Sequence, residues 1–106
     1  MARVNHYFEM FIGNHSYIVC TTSSRKTRAI VQYLFNKARE AHGNEPVKMA
    51  DYEYDVLKHA VQEVKLTHYV SDSGVPRFVI KSAKGSSTVD MSEADWKKDV
   101  SYYIYD

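Results

Sequence analysis

Residues 5–21 read Asn5-His6-Tyr7-Phe8-Glu9-Met10-Phe11-Ile12-Gly13-Asn14-His15-Ser16-Tyr17-Ile18-Val19-Cys20-Thr21. Two runs rich in aromatic and β-branched side chains, 5–12 and 17–21, flank a turn-forming tetrad at 13–16, so the stretch is predicted to be a β-hairpin. With Gly13-Asn14 at the turn, Phe8 lies opposite Val19 and Met10 opposite Tyr17. These four share one face, the expected core face. Tyr7, Glu9, Phe11, Ile18 and Cys20 fall on the other.

Outward from the hairpin, Thr21-Thr22-Ser23-Ser24 offers N-cap hydroxyls for a helix over residues 25–41, closed by His42-Gly43 with the glycine suited to a left-handed terminal position. Successive residues turn by about 100° on such a helix. Thr27, Ile30, Val31, Leu34, Ala38 and Ala41 therefore form one stripe, and Arg25, Arg28, Gln32, Asn36 and Arg39 form the opposite, solvent-directed one, with Tyr33 and Phe35 at the margins. Glu45-Pro46 interrupts helix. A second helix is predicted over 52–65, capped by Asp51, with Tyr54, Leu57, Ala60, Val61 and Val64 inward. Residues 66–70 and 77–81 read as a second hairpin around 71–76, with Pro76 at the strand start. The small residues 82–88 have the length of a loop. Ser92-Glu93-Ala94-Asp95 resembles a helix start and would place Trp96 and Val100 on one face, yet 100–105 alternate like a strand. A short helix of one or two turns followed by an extended tail is expected there. The predicted architecture is α+β in the order ββααββ: two hairpins in one antiparallel sheet, two helices packed on one face, and a single domain over 1–106.

The 106 residues are 44% hydrophobic and 25% charged, with one cysteine and a net charge of +1. Chains of this mass fold to a surface of about 6,000 Å² and bury about two-thirds of what they expose when extended, enough for a core without staples. One cysteine excludes an intramolecular disulfide and every multi-cysteine metal arrangement. No apolar run has the length of a membrane span, and Met1-Ala2-Arg3-Val4-Asn5-His6 lacks a signal-peptide pattern, so a cytoplasmic protein with no membrane partner is expected. Charge is uneven. Residues 1–44 hold six Lys or Arg against Glu9 and Glu40, whereas 45–64 hold five acids against Lys48 and Lys58. Neighbouring elements of opposite sign are expected to solvate each other.

Most catalytic chemistries find no footing. The four glycines are scattered, and no phosphate loop, nucleophile elbow or His-Glu-x-x-His pair occurs. Counting a calcium loop from Asp51 places Val56 and Gln62 at the sixth and twelfth positions, and counting from Asp90 places Asp95 and Ser101 there, so the glycine and the bidentate glutamate are missing. The five histidines lie in separate elements, and Cys20 between Val19 and Thr21 reads as a packed strand residue. No catalytic residue, metal site or cofactor is expected.

Two features bear on binding. Ser24, Arg25, Lys26, Arg28 and Arg39 place hydroxyls, cations and free backbone N–H groups near a helix N-terminus, an arrangement that receives an anion or tracks a nucleic-acid backbone. Cations there oppose the helix dipole, which points to a bound anion or an acidic neighbour. Hydroxyls also cap helices, and Arg and Lys make soluble faces. The second feature is Trp96, Tyr102, Tyr103 and Tyr105. Such side chains suit protein interfaces, self-association included, though an alternating strand must also bury one side.

In size, hairpin-then-helix opening and aromatic content the chain resembles small phage-encoded early proteins of the anti-CRISPR or host-enzyme-inhibitor type. The resemblance implies docking on a larger protein or protein–nucleic-acid complex in the host cytoplasm and blockade by occlusion, and it transfers no site residue. Direct nucleic-acid or nucleotide binding through the basic helix end is the alternative, and a small enzyme built on Cys20 or a histidine is a third class.

Overall fold

A computed structural model describes residues 4–83 and 85–105, side chains at 97 and 99 excepted. Residues 1–3, read above for a leader, lie outside that set. The elements are β1 (His6–Ile12), β2 (His15–Thr21), α1 (Arg28–Ala41), α2 (Asp51–Leu57), β3 (Val61–Val70), β4 (Pro76–Ser82), β5 (Gly85–Asp90), α3 (Glu93–Asp99) and β6 (Val100–Tyr105). They build one six-stranded sheet in the order β5-β4-β3-β1-β2-β6.

The opening hairpin forms in the predicted register, Phe8 opposite Val19 and Met10 opposite Tyr17. Gly13 adopts φ 61° at its turn, a conformation that side chains with a Cβ resist. Phe8, Met10, Tyr17 and Val19 pack against Ile30, Val31, Leu34 and Ala38 of α1, together with Met49 and Val61. Each fully buried side chain of this size contributes about 1.5–3 kcal/mol. Helix α1 ends as expected: the N–H of Gly43 donates to Glu40 O and that of Asn44 to Arg39 O, with Gly43 left-handed at φ 78°.

Several expectations need correction. Helix α1 begins at Arg28, and Thr27 rather than Ser24 caps it, its hydroxyl accepting from the Ile30 N–H. Residues 23–25 form a separate turn in which the Ser23 hydroxyl donates to Arg25 O and accepts from the Arg25 N–H. The second helix stops at Leu57, and Val61–Val70 is a strand. Leu57, Val61 and Val64 share a helical stripe only by coincidence. A β-branched run whose Val61–Val64 portion pairs with β1 gains a hydrogen-bonded ladder that a helix there forgoes. The small residues 82–88, expected as a loop, belong from Gly85 onward to an edge strand, Gly85–Asp90, paired with β4.

The C-terminus uses both of its signals. Ser92 caps α3, its hydroxyl accepting from the Asp95 N–H, and the chain then enters β6. Strand β6 runs parallel to β2, so the sheet is mixed rather than antiparallel, and the order is ββααβββαβ. The helices do not share one face. α3 sends Trp96 to a second cluster with Ile18, Phe78 and Val100 on the side of the sheet opposite α1. Trp96 stacks on Phe78 at 4.4 Å between ring centroids and 10° between planes, and His68 stacks on Phe78 at 4.3 Å.

Candidate functional site

The polar stripe of α1 is turned onto the chain itself. Arg39 Nε donates to Glu45 O, Asn36 Oδ1 accepts from the Val47 N–H, and Gln32 donates to Val47 O while accepting from the Met49 N–H. Arg28 closes the ladder with Met49 O at 2.9 Å and Asp51 Oδ1 at 2.5 Å. Residues 45–49 thus run as a strap along α1, and the strap drops Met49 into the core. Side chains about one helical turn apart match an extended segment laid alongside, and a segment without a strand partner needs its amides satisfied in this way.

The acidic neighbour implied by Arg28 is Asp51. Lys26 lies outside the helix, and its ammonium donates to Lys58 O and to Val61 O. Burial first, then the nearby Lys58, pulls its pKa below the ordinary lysine value. Ser24 and Arg25 are exposed. Of the five residues proposed for anions or nucleic acid, three therefore have their cationic groups on backbone carbonyls of the same chain.

The aromatic set is divided between the faces. Trp96 is 4% exposed and belongs to the second cluster, with Tyr102 half-buried beside it. Tyr103 and Tyr105 pack on the first cluster against Tyr33, whose hydroxyl donates to Ile104 O. Burial above all, then the neighbouring Cys20 thiol and Tyr7, pushes the Tyr102 phenol above the usual tyrosine range. Ile104, absent from the sequence-based set, is the side chain of β6 that faces solvent.

The remaining reactive groups form pairs. Cys20 is buried beside Tyr102. His15 Nε2 lies 2.8 Å from Ser101 Oγ, and Tyr17 hydroxyl lies 3.2 Å from His42 Nε2. These bonds tie the hairpin to β6 and to the end of α1. Among the described residues no three His, Cys, Asp or Glu side chains come together as metal ligands, and no helix is long and apolar enough to cross a membrane.

A broad concavity arises where the sheet divides. Strand β3 is ten residues long and changes partners midway: Val61–Val64 pairs with β1, and Lys65–Val70 pairs with β4 on the opposite edge. Beyond Val64 no described residue pairs with the edge of β3 that faces β1. A cleft of about 840 Å³ opens there, between residues 4–7 on one side and 63–67 with 81–83 on the other. Its volume lies within the roughly 300–1,000 Å³ typical of binding clefts. The projecting β3–β4–β5 arm also explains the molecule's extent. Its surface is 7013 Å² and its radius of gyration 14.6 Å, against about 6,000 Å² and about 13 Å for a compact chain of this length.

Side chains alternate along the cleft. Lys65 and Thr67 point to the side of the sheet that carries α1, while Val64 and Leu66 point to the other, beside Tyr7. Lys65 sits directly opposite Lys81, a like-charge pair, and Glu63 at the mouth accepts from His6 at 2.9 Å. Sequence reading missed this cleft because it placed 61–65 in a helix. A second recess of about 280 Å³ is lined by Glu9, Gln62 and the serines of the β4–β5 turn region. Glu9 there is 3% exposed, and burial raises its carboxyl pKa against a partial opposing effect of the Ser16 hydroxyl that donates to it at 2.6 Å.

No family model, curated protein sequence or solved structure matches this chain.

Proposed function

We propose that this chain is a binding protein, not a catalyst, that docks on a larger protein or protein–nucleic-acid complex and acts by occlusion, as the phage-type inhibitors it resembles would. The observation that supports the reading is the edge of β3 at the cleft, unpaired among the described residues. Backbone donors and acceptors on such an edge are a ready template for another chain. Exposed apolar side chains flank it: Val4 is 68% exposed and Val70 63%. Direct nucleic-acid binding has less to stand on, because Lys26, Arg28 and Arg39 hold the chain's own carbonyls.

The test is affinity capture from a host lysate with and without nuclease, followed by chemical cross-linking of the captured species. The reading requires one protein retained after nuclease treatment and cross-linked at a fixed ratio. Loss of the partner on nuclease treatment, with labelled oligonucleotide bound by the purified chain and released steeply between 50 and 200 mM salt, overturns it in favour of the nucleic-acid alternative; a neutral interface responds little over that range.

A further inference from the structure

We infer that the cleft between β1 and β3 takes an extended peptide segment whose side chains alternate acidic and apolar, added as a strand to the free edge of β3. The inference rests on the docking function proposed above and specifies the partner's chemistry. Three features carry it. The first is the edge itself: among the described residues β3 is paired from Lys65 onward only with β4, which leaves the backbone groups of Lys65–Thr67 that face β1 available in the cleft. The second is the alternation. A strand laid on this edge has period two, so its side chains fall in turn on the Lys65 and Thr67 side and on the side of Leu66, which Tyr7 also faces. Acidic groups meet the first set and apolar groups the second.

The third is charge. Lys65 and Lys81 stand opposite each other on adjacent strands, both exposed, with no acidic partner among the described residues. Like charges so placed destabilise a sheet, and a carboxylate on a strand added beside Lys65, on the edge away from Lys81, offsets their excess positive charge. Glu63 is the single acid among the described residues of the cleft, and its carboxylate is already turned to His6. A nucleic-acid strand would also meet the lysines but makes no use of an unpaired β edge lined by Leu66 and Tyr7.

The experiment is fluorescence anisotropy with a labelled eight-residue peptide alternating Glu and Val, beside a Lys and Val peptide and a labelled oligonucleotide of mixed sequence. The acidic peptide is expected to bind, and the Lys65→Glu, Lys81→Glu double variant is expected to weaken it by about tenfold at low salt while improving the basic peptide. N-methylation of alternate amides along one edge of the acidic peptide abolishes binding and along the other edge leaves it intact, since a strand offers only one edge to its partner. In the free protein, Lys65→Glu alone raises the melting temperature by removing the like-charge pair, and the double variant, which puts a Glu pair in its place, melts near the parent, which shows that it folds. Equal affinity for both peptides, or indifference to the position of N-methylation, overturns the inference. If the lysate partner is captured unchanged by the double variant, the inference fails and the docking function stands; if the oligonucleotide binds and competes for the cleft, both fail.

Discussion

Replacing Trp96 by alanine should destabilise the protein severely. The indole is 4% exposed and lies flat against Phe78 at 4.4 Å, with Ile18 and Val100 in the same cluster. Truncation of a buried Trp costs about 3–5 kcal/mol, of which the stacking geometry itself accounts for about 0.5–1.5 kcal/mol. Against a total stability of about 5–15 kcal/mol this is a large fraction. At about 4–8 °C per kcal/mol for a domain near this size, the melting temperature should fall by at least about 12 °C. Trp96→Phe keeps a ring against Phe78 and should lose less than half as much. Far-UV circular dichroism in urea or on heating compares the three proteins. In the parent chain the fluorescence of Trp96, its single tryptophan, should change together with the dichroism if the two faces of the sheet unfold as one unit. A melting temperature for Trp96→Ala within about 2 °C of the parent refutes the argument. Coupled with loss of the captured partner, it would make Trp96 an interface anchor instead of a core residue.

Further outcomes follow from other parts of the fold. The Glu9 carboxyl titrates higher folded than unfolded, so the folded state holds the extra proton and stability declines as pH rises from the ordinary carboxylate value of 4.5 through the raised one. Glu9→Gln keeps an acceptor for Ser16 without the charge. It should be more stable than the parent at pH 7, with the gap closing toward pH 4; a gap that is the same at every pH in thermal melts contradicts this. Thr27→Ala should cost about 1 kcal/mol and Ser24→Ala almost nothing, because only Thr27 caps α1; urea titration distinguishes them, and equal losses would restore the earlier helix start. Gln32→Ala should remove about 1 kcal/mol and accelerate hydrogen exchange at the Met49 amide, whose acceptor it deletes. An unchanged exchange rate there would mean that the strap is held by other means.

Deleting the C-terminal tyrosines would be an ambiguous test of their role, and the fold explains why. Strand β6 is hydrogen-bonded to β2 along Ser16–Thr21, and Val100 and Tyr103 pack on opposite faces of the sheet. Truncation therefore strips both clusters at once. Ile104→Ser is the cleaner substitution at this edge, because that side chain is 68% exposed.

The amino-acid sequence by itself determined the elements whose signals are local. The β1–β2 register follows from one turn and a period of two, the inward stripe of α1 from a period of 3.6, its end from Gly43, and the cap of α3 from Ser92. Tertiary structure decided what depends on distant partners. Residues 61–65 suit a helical stripe as well as a strand until β1 offers a ladder. The stripe from Arg28 to Arg39 looks solvent-directed until residues 45–49 lie across it, and 85–88 look like part of a loop until β4 pairs with them. The cleft exists only because β3 changes neighbours at Lys65. That exchange joins strands separated in sequence, and short-range periodicity holds no record of which edge a strand leaves open.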